Sequence, residues 1–448
     1  MPNVYPFRAC TYTTGADQSN FVAPPYDVLD AAGKERLLKK DARNVVAIDL
    51  PHTPAKELGP ASAYETAAKQ LRDLLESKVV KKSMLPSMFA YCQTFKSADG
   101  SKSVRRSGMC CTVETVPFGP RVGGGILPHE ETFSGPKEDR MALMKATGTQ
   151  MSPIFGLHAD DLGMATKLIQ MIMSRKRPDF HATTDDGTLH EVWTVQDSAT
   201  LNMYQRALAN EDIFIADGHH RYNTGLSYLQ ALEAKGEVPS NHPARRCMIV
   251  LIGMSDPGLI IWPTHRVLGG MKDYTFDKFK AAAAGQLTIS PATSKLTGIE
   301  AEMESKAKES GRNVFGLYDF TTGSCHIAEL AATDPLAARF ADKPQAWRDL
   351  DVALIQYVIV EGVCQPKLNN NEAIKWAFPH TIKEVEDIGK GLETGAGGGK
   401  NFAQLAVIVR PTPLQAVKDV SRANQLMPQK STFFYPKLAT GLFMNPLS

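Results

Sequence analysis

From Glu211 to Tyr222 the chain reads Glu-Asp-Ile-Phe-Ile-Ala-Asp-Gly-His-His-Arg-Tyr, and Asp217, His219, His220 and Arg221 carry side chains that bind charge or move protons. Ile213 to Ala216 is a short apolar run of the kind that makes a buried strand, and Asp217-Gly218 supplies turn chemistry. Leu226, Leu229 and Leu232 then share one face, which predicts a helix over Tyr222 to Ala234. The polar cluster therefore falls where a strand becomes a helix. Backbone N–H groups and the positive helix end favour an anion there, and Gly218 lets it approach the backbone. Arg221 can add a two-pronged contact to phosphate or carboxylate. Phosphate is the expected ligand of Asp217, Gly218, His220 and Arg221. The plain alternative has Asp217 capping the helix while both histidines brace loops. Two histidines followed by an arginine are rarely clustered for packing alone, which favours a site.

Four other stretches carry reactive groups. In Ala23-Pro24-Pro25-Tyr26-Asp27-Val28 two prolines stiffen the backbone and present Tyr26 and Asp27 in a set direction, unless Asp27 only caps the helix expected near Ala31. Gly123-Gly124-Gly125 precedes His129-Glu130-Glu131-Thr132. A His-Glu pair can act as a general base with its orienting carboxylate, or as metal ligands, and otherwise braces a loop. The zincin pattern needs a second histidine one helical turn on, where this chain has Phe133. Pro263-Thr264-His265-Arg266 leaves the end of an expected strand, so His265 and Arg266 are candidate anion ligands. Near the C-terminus, Met427 to Lys437 is aromatic without helical period and must dock. Lys430, Ser431 and Thr432 can then complete an anion site, or the tail only seals a core with Phe433, Phe434 and Tyr435. The glycine run Gly395 to Lys400 fails the Walker spacing at both ends and reads as a loop.

These residues must be held by mixed elements. Val45–Leu50 reads as a strand and Ser62–Ser77 as an amphipathic helix, and Met88–Phe95 with Val104–Val116 reads as a hairpin turning at Asp99-Gly100. Strands and helices then alternate from Ile154 to the central turn. A second α+β region begins near Met271, with Leu350–Val363 as a buried helix. At 448 residues the chain supports two domains with sizeable cores, expected at 1–268 and 269–448, the tail of the second docking back on the site. The net charge of +2, from 50 basic and 48 acidic residues, gives no broad field and argues against a nucleic-acid partner. Seven cysteines lack Cys-x-x-Cys or finger spacing, which fits a reducing compartment; Cys110 and Cys111 read as core. No apolar stretch is long enough to span a bilayer. The expected location is cytoplasmic, without membrane association.

Asp217-Gly218-His219-His220-Arg221 resembles the phosphate-binding turn of the ParB and sulfiredoxin superfamily, which includes free-serine kinases with a similar turn. With the Ala23–Val28, His129–Thr132, Pro263–Arg266 and Met427–Thr432 stretches, the chain as a whole resembles the family called domain of unknown function 1015, which brings no settled activity with it. The resemblance implies an α+β fold with a mixed-sheet ParB/sulfiredoxin-like core and a second α+β domain. It also implies phosphoryl transfer on a small hydroxylated metabolite, with free serine or phosphoserine the substrate and the direction open.

The residue inventory fits that chemistry, which needs placed positive charge, often Mg²⁺, and a base for the attacking hydroxyl or water. Glu130, His129, His219 and Asp27 are the expected catalytic groups, with Glu130 or Asp27 as base or Mg²⁺ ligand and His219 relaying a proton near neutral pH. The kinase direction would take ATP or ADP. A non-catalytic nucleotide-binding switch and a metal-dependent hydrolase are the alternatives.

Overall fold

The computed structural model describes residues 3–55, 57–97, 100–132, 134–392 and 401–448. The glycine run from Gly395, the turn residue Asp99 and Phe133 lie outside them. The chain forms two compact units, Met1–Ile260 with Phe434–Ser448, and Ile261–Phe433. The C-terminal segment thus belongs to the first unit. The division expected after residue 268 falls within the strand Arg266–Gly269, which belongs to the sheet of the second unit.

The first unit is built on a nine-stranded mixed sheet. Its strands run in the order Ile126–Leu127, Ile213–Asp217, Ile154–His158, Arg246–Gly253, Ser103–Glu114, Met88–Lys96, Leu189–Val195 and Phe180–Thr183, with Val4–Tyr5 also on Ser103–Glu114. Ile213–Asp217 runs parallel to Ile126–Leu127, and Arg246–Gly253 parallel to Ile154–His158; the other pairs are antiparallel. The central strands are apolar almost throughout because both faces are covered. Ile213, Ile215, Met109, Cys111, Ile249 and Leu251 share a core with Ala165, Leu168 and Ile169 of the helix Met164–Arg175. Cys110 and Cys111 are both fully buried, as the alternation implied. All seven thiols are unbridged.

The expected strand at Val45–Leu50 is instead a helical turn, Val46–Asp49. A short apolar run suits either conformation. Asn44 decides it: its side-chain oxygen accepts from Val46 N at 2.9 Å while its amide donates to Asn20 O and Val22 O. The second unit holds a six-stranded antiparallel sheet, Leu287–Pro291, Ser324–Leu330, Val314–Asp319, Ala403–Ile408, Arg266–Gly269 and Lys375–Ala377. Against its core lies the expected buried helix, an α turn over Asp351–Leu354 that widens to a π-type helix from Ile355 to Cys364. The whole is α+β, with a mixed sheet in the first unit. No helix among the described residues is long and apolar enough to cross a membrane.

Candidate functional site

The strand Ile213–Asp217 is anchored by Ile213, Phe214 and Ile215, all fully buried. Between Ile215 and Asp217 its register against Ile154–His158 slips, so an extra residue bulges at Ala216. Bulges re-aim the side chain that follows, and here the next residue is Asp217. Gly218 then takes φ 93°, in the left-handed region open to glycine, and the helix begins at His219. It starts earlier than the leucine spacing predicted, so His219, His220 and Arg221 form its first turn. Tyr222 fixes this start: its hydroxyl donates to Val116 O at 2.7 Å and accepts from Val116 N at 2.9 Å.

The N-cap position of this helix is Gly218, which offers no side chain, and Asp217 is engaged by two cations. Its carboxylate takes the Arg221 guanidinium on one oxygen and Lys437 Nζ on the other, the latter at 2.5 Å. Arg221 also donates to Pro153 O. Its guanidinium lies over Gly218, where a Cβ would stand 3.0 Å from the guanidinium carbon. Burial opposes charge on Asp217, yet Lys437 and Arg221 outweigh it and hold the carboxyl well below the usual range.

His129 comes to the same place from the strand Ile126–Leu127. Its Nδ1 stands 2.8 Å from Ile215 O. A carbonyl only accepts, so Nδ1 carries the proton and Nε2 presents a lone pair. The backbone N–H of His129 donates to His219 Nε2 at 3.3 Å, and the two rings meet edge to face at 4.7 Å. Burial lowers the pKa of both, and their proximity lowers that of His219 further. Both rings are therefore held toward their neutral form. Glu130, half-buried, opposes the shift at His129, and Thr132 Oγ1 accepts from Asn223 Nδ2 of the helix at 2.8 Å.

The Pro24–Asp27 loop brings Tyr26 within electrostatic reach of Arg140 and Arg221. Tyr26 lies under the Arg140 guanidinium, 3.9 Å from ring centre to carbon. The expected helix beginning at Ala31 is capped by Asp30, whose carboxylate accepts from Gly33 N at 2.7 Å, so Asp27 is left without that structural duty. Arg140 is the centre of a buried network. It meets Asp139 at 2.6 Å and Asp49 at 3.2 Å, and donates to Asp49 O at 2.6 Å. Asp139 also meets Tyr64 Oη at 2.7 Å and His52 Nε2 at 2.8 Å. A cavity of about 40 Å³ lies between Asp49, Arg140, Ser152, Arg221 and Thr224. That is room for little more than a water or two.

Lys437 is the site residue the sequence reading missed. It stands in the same aromatic stretch as Lys430, but nothing local distinguishes one lysine from the other. The segment that carries it is clamped by Arg106, fully buried, which donates to Tyr435 O at 2.8 Å and Pro436 O at 2.5 Å. Gln93 Nε2 donates to Lys437 O at 2.9 Å. Phe434 fills the core against Phe155 and His129, so the tail both seals a core and delivers a cation.

The remaining expected ligands lie in the second unit, where two of the stretches meet each other. Arg266 is buried and donates to Thr264 O and, at 3.0 Å, to Lys430 O. His265 is fully buried, its Nδ1 accepting from Val409 N at 3.2 Å. Burial, His380 and Arg266 lower its pKa to about 3. Ser431 donates its hydroxyl to Pro428 O, Thr432 is half-buried, and Lys430 is exposed with φ 57°. No group of three His, Cys, Asp or Glu side chains among the described residues is arranged to hold a metal ion.

Several solved structures resemble the chain. A free serine kinase in complex with ADP is 13% identical with a TM-score of 0.33, the match covering 73% of this chain and 95% of that one. A conserved hypothetical protein from Pyrococcus furiosus is 13% identical with a TM-score of 0.31, covering 72% and 96%. SbnI with a C-terminal truncation, from Staphylococcus aureus, is 10% identical with a TM-score of 0.32, covering 75% and 87%. A search of curated proteins found no match. The family model described as "Protein of unknown function (DUF1015)" matches residues 4–353, and the chain belongs to that family.

Proposed function

We propose that this protein is a phosphoryl-transfer enzyme acting on a small hydroxylated metabolite, with free serine or phosphoserine as the substrate pair. The observation that carries the reading is Asp217 held between Arg221 and Lys437 at the start of the helix His219–Glu233. Phosphoryl transfer asks the protein chiefly for placed positive charge, and two cations beside helix N–H groups supply it. Arg221, Lys437 and the Gly218 turn hold the phosphate, and Asp217 keeps the two cations in position. His129 Nε2, with its lone pair and a ring kept neutral, is suited to accept the proton of an attacking hydroxyl, with Glu130 as neighbouring carboxylate. In the kinase direction ATP or ADP donates; in the phosphatase direction water attacks phosphoserine.

Mg²⁺ that arrives on phosphates needs only one or two protein carboxylates, and Asp27 and Glu130 are the acids to offer them. It would neutralise charge on the phosphoryl oxygens. A tightly held zinc needs three or four preformed ligands, and no group of three His, Cys, Asp or Glu side chains among the described residues is arranged to supply them. Purified protein incubated with serine plus ATP or ADP should form phosphoserine, or should release phosphate from phosphoserine. Turnover of none of these overturns the assignment, and nucleotide binding without turnover would point to a switch module.

A further inference from the structure

His158 closes the strand Ile154–His158 and is fully buried, yet neither of its ring nitrogens has a hydrogen-bond partner among the described residues. A neutral imidazole always carries one N–H, and leaving it unmet in the interior is costly. Side chains alternate along a strand, so His158 shares a face with Ile154 and Gly156. That face is covered by the helices Met164–Arg175 and Ser198–Ala207, whose Ala165, Leu168, Ile169 and Tyr204 join Ile154 in one core. Burial holds the His158 pKa down to about 4, against the opposing pull of Asp160.

The carboxylate of Asp160 is already taken. Its Oδ1 accepts from Ala165 N at 3.0 Å, and its Oδ2 from Thr166 N at 3.1 Å, Thr166 Oγ1 at 2.6 Å and Ser255 Oγ at 2.8 Å. These bonds satisfy the first turn of the helix Met164–Arg175 and tie it to the turn after the strand Arg246–Gly253. Asp160 itself stands at φ 51°, a region that residues with a Cβ rarely adopt. Burial opposes its charge, yet the bonds from Thr166 and Ser255 outweigh it and keep Asp160 ionised where His158 titrates. The nearby acid Glu211 accepts from Ala159 N at 3.1 Å. On the covering elements, Tyr204 and Cys111 are buried with their pKa values raised, so both are uncharged, while Lys167, Arg175 and Arg206 point to the surface. An imidazolium formed here gains a partner only when Asp160 leaves the helix or the helix lifts to admit solvent.

We propose that His158 is an acid-operated latch, whose protonation releases Asp160 from the first turn of Met164–Arg175 and loosens that helix from the sheet. Opening exposes the imidazole to solvent, where its ordinary pKa is about 6.5. Below that pH the open form binds the extra proton and the closed form does not, so opening grows as pH falls and levels off near the closed-form value of about 4. Between about pH 7 and about pH 5 the opening constant should rise about 20-fold.

Hydrogen exchange of the full-length protein at those two pH values, corrected for the intrinsic rate at each, reads the opening of residues 164–175. His158→Leu should abolish the acid response of this helix. Because the imidazole makes no hydrogen bond, the same variant should leave the helix as well protected as the wild type at about pH 7. His158→Gln, polar but without a titrating group, should lose the acid response as well. Wild-type exchange over 164–175 that does not rise on acidification overturns the proposal. An equal rise in both variants places the acid response elsewhere and overturns it too. Loosening of the helix at about pH 7 in both variants would make His158 a structural partner of the closed form, and the latch falls.

Discussion

Replacing Arg140 by methionine removes the cation in direct contact with two buried acids. Asp139 is fully buried and Asp49 nearly so. Asp139 would keep Tyr64 Oη at 2.7 Å and His52 Nε2 at 2.8 Å, but Asp49 would keep only Ser152 Oγ at 3.1 Å. Asp49 is therefore the stranded charge. Breaking a buried pair from one side costs about 3–5 kcal/mol, and the isosteric apolar stem recovers little of it. The cost should depend on pH in a definite direction. Burial already raises the pKa of Asp49 against the opposing pull of Arg140, and without the arginine it rises further. An acid whose folded pKa exceeds its unfolded value binds more protons when folded between the two. Stability therefore falls as pH rises through that window and returns as pH drops, by up to about 1.4 kcal/mol per unit. Hydrogen exchange over Val46–Asp49 and Ser134–Thr147 reads the local opening free energy. The deficit should be large at about pH 7.5, smaller at about pH 5.5, and partly relieved by adding Asp49→Asn. A loss under about 1 kcal/mol, or a deficit that does not shrink on acidification, would refute the account of Arg140 as the main counter-charge of Asp49.

Other substitutions test the site itself. Arg221→Ala should lower phosphate affinity about 10- to 100-fold, while stability falls only about 1–2 kcal/mol, because Asp217 keeps Lys437 and only Pro153 O is orphaned; calorimetry and thermal unfolding separate the two. Gly218→Ala should cost about 1–2 kcal/mol in thermal unfolding from the φ of 93° and also weaken phosphate, since the new methyl presses on the Arg221 guanidinium. In native protein a thiol reagent should label Cys325 alone at an appreciable rate, because the other six thiols are buried; rapid labelling of Cys110 or Cys111 would contradict the packing.

Reading the chain without coordinates located the strand into Asp217, the turn at Gly218 and the helix beyond, because apolar period and turn chemistry act within a few residues. It also singled out His129, which the fold brings against His219. The same local signals misplaced two features. The run Val45–Leu50 has strand composition, and Asn44 turns it into a helix. The leucine spacing placed the helix start at Tyr222, and the helix begins at His219.

Patterns local to the sequence thus determined which groups can carry charge and which elements bear them. Tertiary structure alone decided which group faces which. Lys437 and Asp217 are 220 residues apart, and Arg140 and Asp49 are 91 apart. Nothing near Lys437 marks it above Lys430. Only the packing of Phe434 and the Arg106 clamp bring Lys437 to Asp217, while Lys430 lies exposed with its carbonyl bound by Arg266. Pairings over such separations are set by how whole layers close over a core, and that closure depends on the sum of many contacts rather than on any short stretch of chain.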